Sequence, residues 1–167
     1  FVATATQLAA DKAPADLDAL LALPWPGDDG DTVDAALKSL IGKIGENMRV
    51  SGYKRLAVTD GVVGAYVHHD KKTGAIVALE GKSSDELADF AKQLCMHIVF
   101  SKPTALDRDE IPADDVQREL EFLRQQAQED ESLKGKPEKA VEGIIQGRLS
   151  KNFFGSRVLT EQPWFSD

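Results

Sequence analysis

Apolar residues recur at spacings of three and four along several stretches of the chain and alternate along two others, with glycine and proline between them. The clearest helical stripe is Val33, Ala36, Leu37, Leu40, Ile41 and Ile44, with Asp31 as its expected N-cap and Gly45 as its stop. Ahead of it, Phe1 to Ala13 predicts a weak helix or an extended lead-in. Asp16 to Leu23 predicts a short helix carrying Leu17, Leu20 and Leu21, and Pro24 to Gly30 predicts a loop. Behind it, Met48 to Val58 predicts a strand with an irregularity at Ser51-Gly52, closed by a turn at Thr59-Asp60-Gly61.

Val62 to His69 and Ala75 to Glu80 predict two strands joined through Asp70 to Gly74. Alternation sends Val63, Ala65 and Val67 to one face and Gly64, Tyr66 and His68 to the other. Ser83 and Glu86 form a capping-box pattern before a helix with Leu87, Phe90, Ala91, Leu94 and Ile98 on one stripe, expected to cover the hairpin. Pro103 ends that helix. Val116, Leu120, Leu123 and Ala127 then make a narrow seam. Gly135-Lys136-Pro137 breaks it, and Val141, Ile144, Ile145 and Leu149 make a second. Gly143 and Gly147, four apart, suggest a close helix approach. Asp114 to Phe153 therefore predicts an antiparallel helical hairpin projecting from the body.

The chain carries 28 acidic and 20 basic side chains over 167 residues, a net charge of -8, which disfavours direct contact with a nucleic-acid backbone. One cysteine, Cys95, excludes an internal disulfide and a cysteine-rich zinc cluster. No apolar run approaches the roughly 20 residues that span a bilayer. No charged-then-apolar leader opens the sequence, and a soluble, reducing compartment is expected.

Reactive chemistry is sparse. Two of the three histidines, His68 and His69, are adjacent beside Asp70, and on a strand their rings point to opposite faces, so a shared metal needs His97 brought close. His97 lies beside the apolar stripe and reads as a satisfied, half-buried side chain. Cys95, two residues away on the same helix, points elsewhere, which argues against a nucleophilic pair. Gly42 to Gly45 is too short for a phosphate-cradling loop and follows a helix instead of a strand. The carboxylates are scattered over helix faces. Phe1 and Trp164-Phe165 are aromatic residues whose partners are not evident locally; each is either a core piece or a contact anchor.

Several motifs stand in a definite order along the chain: Phe1-Val2-Ala3, Lys43-Ile-Gly-Glu-Asn47, Tyr66-Val-His68 within Gly64 to Asp70, Met96-His-Ile98 within Leu94 to Pro103, Gln146-Gly-Arg-Leu149, and Leu159-Thr-Glu-Gln-Pro-Trp164. Together they resemble bacterial-type elongation factor Ts, the nucleotide-exchange factor of elongation factor Tu. The resemblance covers nearly the whole chain and is strongest from Val33 to Trp164. It implies the core region of that family, without the amino-terminal helical domain and the extreme carboxy-terminal part. It implies that Phe1 matches an aromatic wedged between helices of the partner's nucleotide-binding domain. Ile44, Gly45, Glu46 and Asn47 match a loop facing that domain, and His68 matches a histidine approaching another domain. The helical hairpin matches an element that touches the partner away from the nucleotide.

The expected fold is α+β, with small antiparallel sheets covered by helices on one face, two related subdomains of which the first is incomplete, and the projecting hairpin. The expected divisions are 1–60, then 61–113 with 154–167, and the hairpin at 114–153. The resemblance implies a guanine-nucleotide exchange factor for elongation factor Tu that is not an enzyme. It requires no cofactor, metal, nucleic acid or membrane, and works in bacterial cytoplasm or an organellar matrix or stroma. Two alternatives from other classes stand beside it: an interaction module that uses the hairpin to recruit another partner, and a small metal enzyme built on His68, His69, His97 and nearby carboxylates.

Overall fold

The first apolar stretch folds as helix α1 (Val2–Lys12) in the computed structural model, which describes residues 1–27 and 31–165. By contact density the chain splits into two units, Phe1–Ala57 and Val58–Asp167.

In the first unit α1 is followed by α2 (Leu17–Leu21), whose Asp16 cap accepts a hydrogen bond from the Ala19 amide at 2.8 Å. The expected loop from Pro24 lies within the described residues only as far as Gly27. Trp25 N donates to Asp31 O at 2.8 Å and Val33 N to Leu23 O at 3.0 Å, returning the chain to α3 (Val33–Ile44). The α3 cap is Thr32, one residue later than the expected Asp31: the Thr32 hydroxyl accepts from Ala35 N at 3.2 Å. Val33, Leu37, Leu20 and Ala9 are the buried apolar residues of this unit. Gly45 ends α3 with φ 78°, a left-handed conformation that a side chain disfavours.

Met48 to Val58 is not a strand. Met48, Val50, Tyr53, Leu56 and Val58 are half-buried and the residues between them exposed, at spacings of two and three that do not keep a strict alternation. A strand exists only through a partner, and among the described residues no backbone hydrogen bond pairs this segment. The same segment holds the Tyr53 hydroxyl buried without a hydrogen-bond partner among the described residues. The plural sheets expected from the sequence thus reduce, among the described residues, to one.

That sheet belongs to the second unit. β1 (Gly61–Val67) and β2 (Gly74–Glu80) pair antiparallel, with Gly64 opposite Val77 and Ala65 opposite Ile76. α4 (Asp85–Ser101) covers one face. Its cap is Ser84, which accepts from Leu87 N at 3.2 Å; Ser83 instead donates to the Gly61 carbonyl, so the cap stands one residue later than the expected capping box. Val77, Ala91 and Cys95 form the buried core between sheet and helix. A Cβ built on Gly64 lies 2.7 Å from the Ala91 Cβ, so the strand's missing side chain is what lets β1 and α4 approach. Phe90, expected on the sheet-facing stripe, is about half exposed and stacks on Trp164 instead.

α5 (Ala113–Glu129) and α6 (Glu138–Arg148) are the two helices expected within 114–153, joined through a 3-10 turn at Glu131–Leu133. Both predicted seams meet: Leu123, Ala127, Ile145 and Leu149 are buried, with Val116, Leu120, Val141 and Ile144 packed against them. Gly143 and Gly147 are not part of that contact. A Cβ at either would meet nothing within 4 Å, so they face away from α5. α6 widens into a π-helical turn (Leu149–Phe154), which buries Phe153 and Phe154 at the base, and ends in the short α7 (Gly155–Arg157). This core is separate from that of the sheet.

Candidate partner-binding surface

Phe1 sits at the N-terminus of α1 and its ring stacks on Trp25, 5.2 Å between centroids and 15° between planes. It lines a groove of about 700 Å³ together with Ala5, Leu37, Leu40 and Met48. Phe1 is therefore braced on one ring face by a second aromatic. No local sequence signal reveals that support, because Trp25 is 24 positions away.

Ile44 is 52 % exposed at the last position of α3, and Gly45, Glu46 and Asn47 are all exposed beyond it. The physical origin is the helix stop. Left-handed Gly45 turns the backbone out of α3, its amide still donating to Ile41 O at 2.8 Å. An apolar side chain held at a rigid helix end, next to a turning backbone, has a defined position without being buried.

His68 lies in the second unit, as do His69 and His97. β1 ends at Val67, so His68 and His69 are in the connecting loop and not on a strand. Their rings are 4.1 Å apart, which corrects the expectation that they face opposite ways. The turn is set by Lys71 at φ 56° and by the Asp70 carboxylate, which accepts from Lys72 N at 2.9 Å. The Tyr66 hydroxyl is 3.2 Å from His68 Nδ1 and orients that ring. Tyr66, His68, Met96, Phe100 and Phe165 line a groove of about 430 Å³, and Phe100 is 72 % exposed.

His97 is 1 % exposed, more deeply buried than the sequence suggests. Its Nε2 is 3.1 Å from Gln162 Oε1, Ser101 Oγ is 3.4 Å from Nδ1, and Trp164 stacks on the ring at 5.0 Å and 10°. Trp164, half-buried, is thereby held in an intramolecular stack. Cys95 packs against Val77 under the sheet, and burial pushes its thiol pKa up, which suppresses the thiolate a nucleophile needs. Among the described residues no three His, Cys, Asp or Glu side chains gather as metal ligands, and no helix is long and apolar enough to cross a membrane.

Charge is used structurally. Just after α5, Asp130 accepts from the Ser132 hydroxyl at 2.6 Å and amide at 3.0 Å, and from Arg148 at the end of α6 at 3.0 Å. These bonds hold its pKa at about 2. At the base, Arg108 forks onto Glu161, bonds Ser150 at 2.8 Å and lies 4.3 Å over the Phe154 ring, with the Glu161 pKa lowered by the hydrogen bond from Arg108. Arg108 carries no motif signal, because its partners are 42 and 53 positions away.

Phe1, Ile44 and His68 are thus each held in a defined position by a neighbouring ring, a helix stop or a hydroxyl. The family model described as elongation factor TS matches residues 1–167. Elongation factor Ts of Magnetococcus marinus is 39 % identical over all of this chain and 54 % of its own length. That of Chlorobium chlorochromatii is 38 % identical over all of the chain and 57 % of its own length, and that of Syntrophotalea carbinolica 41 % over 92 % and 50 %. The chain thus spans about half the length of these relatives. The whole-chain match, with the ordered motifs placed as described, shows that the chain belongs to the elongation factor Ts family.

Proposed function

We propose that this chain forms the part of a guanine-nucleotide exchange factor that grips elongation factor Tu and promotes GDP release during translation elongation. The observation that carries the reading is the family match over residues 1–167. The mechanism is linkage: a factor that binds the empty GTPase more tightly than the GDP-filled one weakens GDP binding by the same ratio. No covalent bond is made or broken by the factor.

In this reading Phe1, backed by Trp25, presents its free ring face to helices of the partner's nucleotide-binding domain. Packed interfaces resist gradual deformation, so an inserted ring displaces whole elements. Ile44 and the Gly45–Glu46–Asn47 turn meet the same domain, supported by the exposure of Ile44 and the rigid αL stop. His68, oriented by Tyr66, meets another domain. The helical hairpin adds contact away from the nucleotide. The factor acts where translation takes place, in bacterial cytoplasm or an organellar interior.

Stopped-flow measurement of labelled GDP leaving elongation factor Tu tests the proposal. The full-length protein is expected to accelerate release, and Ile44→Asp to abolish most of that acceleration. Release at the spontaneous rate with the full-length protein present rejects it.

A further inference from the structure

The carboxy-terminal motif and the α4 motif are separate signals in the sequence, and the structure joins them through one side chain. Gln162 donates from Nε2 to the Ser101 carbonyl at 3.2 Å and to the Ser156 carbonyl at 2.9 Å. Both acceptors are carbonyls, so that end of the amide is the nitrogen, and the oxygen faces His97 Nε2 at 3.1 Å. Nε2 therefore carries the hydrogen, and Nδ1 accepts from the Ser101 hydroxyl. Ser101 is the last residue of α4 and its carbonyl has no further turn to bond. One amide thus satisfies the end of α4, the short helix α7 and a buried imidazole at once.

Residues 163–165 depend on this node. Pro163 stiffens the next step of the backbone. Trp164 then stacks on both His97 and Phe90, at 5.0 and 5.9 Å. Phe165 comes to 6.4 Å from Phe100 and forms a wall of the groove that holds Tyr66 and His68. Without Gln162, the His97 N–H and two carbonyls lose their partner, and the aromatic stack alone must hold the segment.

We propose that the His97–Gln162 hydrogen bond is a latch that fixes Pro163–Phe165 as a wall of the His68 groove, making His97 and Gln162 positioning residues for partner capture. The proposal rests on the reading that His68 touches elongation factor Tu.

Quenching is measured on the full-length protein carrying Trp25→Phe, leaving Trp164 as the tryptophan of this region, and affinity on the full-length protein with Trp25 intact. Gln162→Ala is expected to raise acrylamide quenching of Trp164 at about 25 °C while far-ultraviolet dichroism stays native. Loss of the latch is expected to weaken binding to elongation factor Tu about tenfold, the equivalent of one lost buried hydrogen bond. In a His68→Ala background the same change is expected to have little further effect, because the two act through one contact. His97→Phe keeps a ring under Trp164 but removes the donor, and it answers the same question should Gln162→Ala not fold. Unchanged Trp164 quenching in both variants overturns the latch. Raised quenching with an equal affinity loss in the presence and absence of His68 overturns the positioning role. If His68→Ala itself leaves affinity unchanged, the contact reading and the positioning role fall together, and quenching still decides the latch.

Discussion

Gly64→Ala turns the closest approach in the sheet unit into a measurable quantity. A Cβ at position 64 meets the Ala91 Cβ at 2.7 Å, its carbonyl carbon at 2.8 Å and its oxygen at 2.9 Å. Two of these atoms are helix backbone, so no rotamer change relieves the clash. α4 must lift from β1 by roughly half an ångström or more, loosening the contact that buries Val77, Ala91 and Cys95. Overpacking of this kind costs about 1–3 kcal/mol. Replacing glycine within a strand returns about 0.5–1 kcal/mol through lost backbone freedom in the unfolded chain. The net expectation is destabilisation by up to about 2.5 kcal/mol, seen as a Tm lowered by up to about 10 °C. In urea titration followed by circular dichroism the midpoint should fall with the slope unchanged. Adding Ala91→Gly removes the 2.7 Å contact but leaves the backbone ones and places a glycine inside α4 at a cost of about 1 kcal/mol, so it should not restore the parent stability. A midpoint that rises in Gly64→Ala refutes the reasoning, because the entropy gain would then be acting with no clash against it.

Two glycines near the end of α3 give opposite signs. Gly42 is in the helix with nothing within 4 Å of a Cβ, so Gly42→Ala should stabilise by about 0.5–1 kcal/mol, whereas Gly45→Ala, equally open but at φ 78°, should cost about 1–2 kcal/mol; thermal denaturation separates them. Asp130 has its pKa lowered to about 2, so its contribution to the turn after α5 is complete above the unfolded value of about 3.9 and fades as pH falls from there toward 2. Protection of the Ser132 to Lys134 amides, taken relative to the intrinsic exchange rate at each pH, should fall over that window, and Asp130→Asn should show no such acid step. Cys95 should resist thiol reagents at neutral pH until denaturant unfolds the chain, given full burial and a raised pKa; labelling of the native protein at the rate of a free thiol contradicts this.

The local elements are legible from periodicity because their causes are local. The α3 stripe, its stop at Gly45, the β1–β2 hairpin and the two seams of the helical hairpin each arise from side chains a few positions apart. The errors fall where a residue's role depends on something distant. Met48 to Val58 has the composition of a strand, but pairing is a property of two segments, and no described segment pairs with it. Gly143 and Gly147 have the spacing of a close helix contact, yet the buried side of α6 is decided by Ile145 and Leu149 meeting α5. His68 and His69 continue the strand pattern in sequence, but the strand ends at Val67, and the turn beyond brings their rings together.

By itself, then, the order of residues determined the family, the helices with their stops, the β1–β2 hairpin and the scarcity of reactive groups. Only the tertiary structure decided which of these groups bear on one another: Trp25 behind Phe1, Arg108 on Glu161 and Phe154, Gln162 on His97. The physical reason is range. Periodicity and capping act over one or two turns of chain, whereas these contacts join residues 24 to 65 positions apart and form only when helices and sheet have packed.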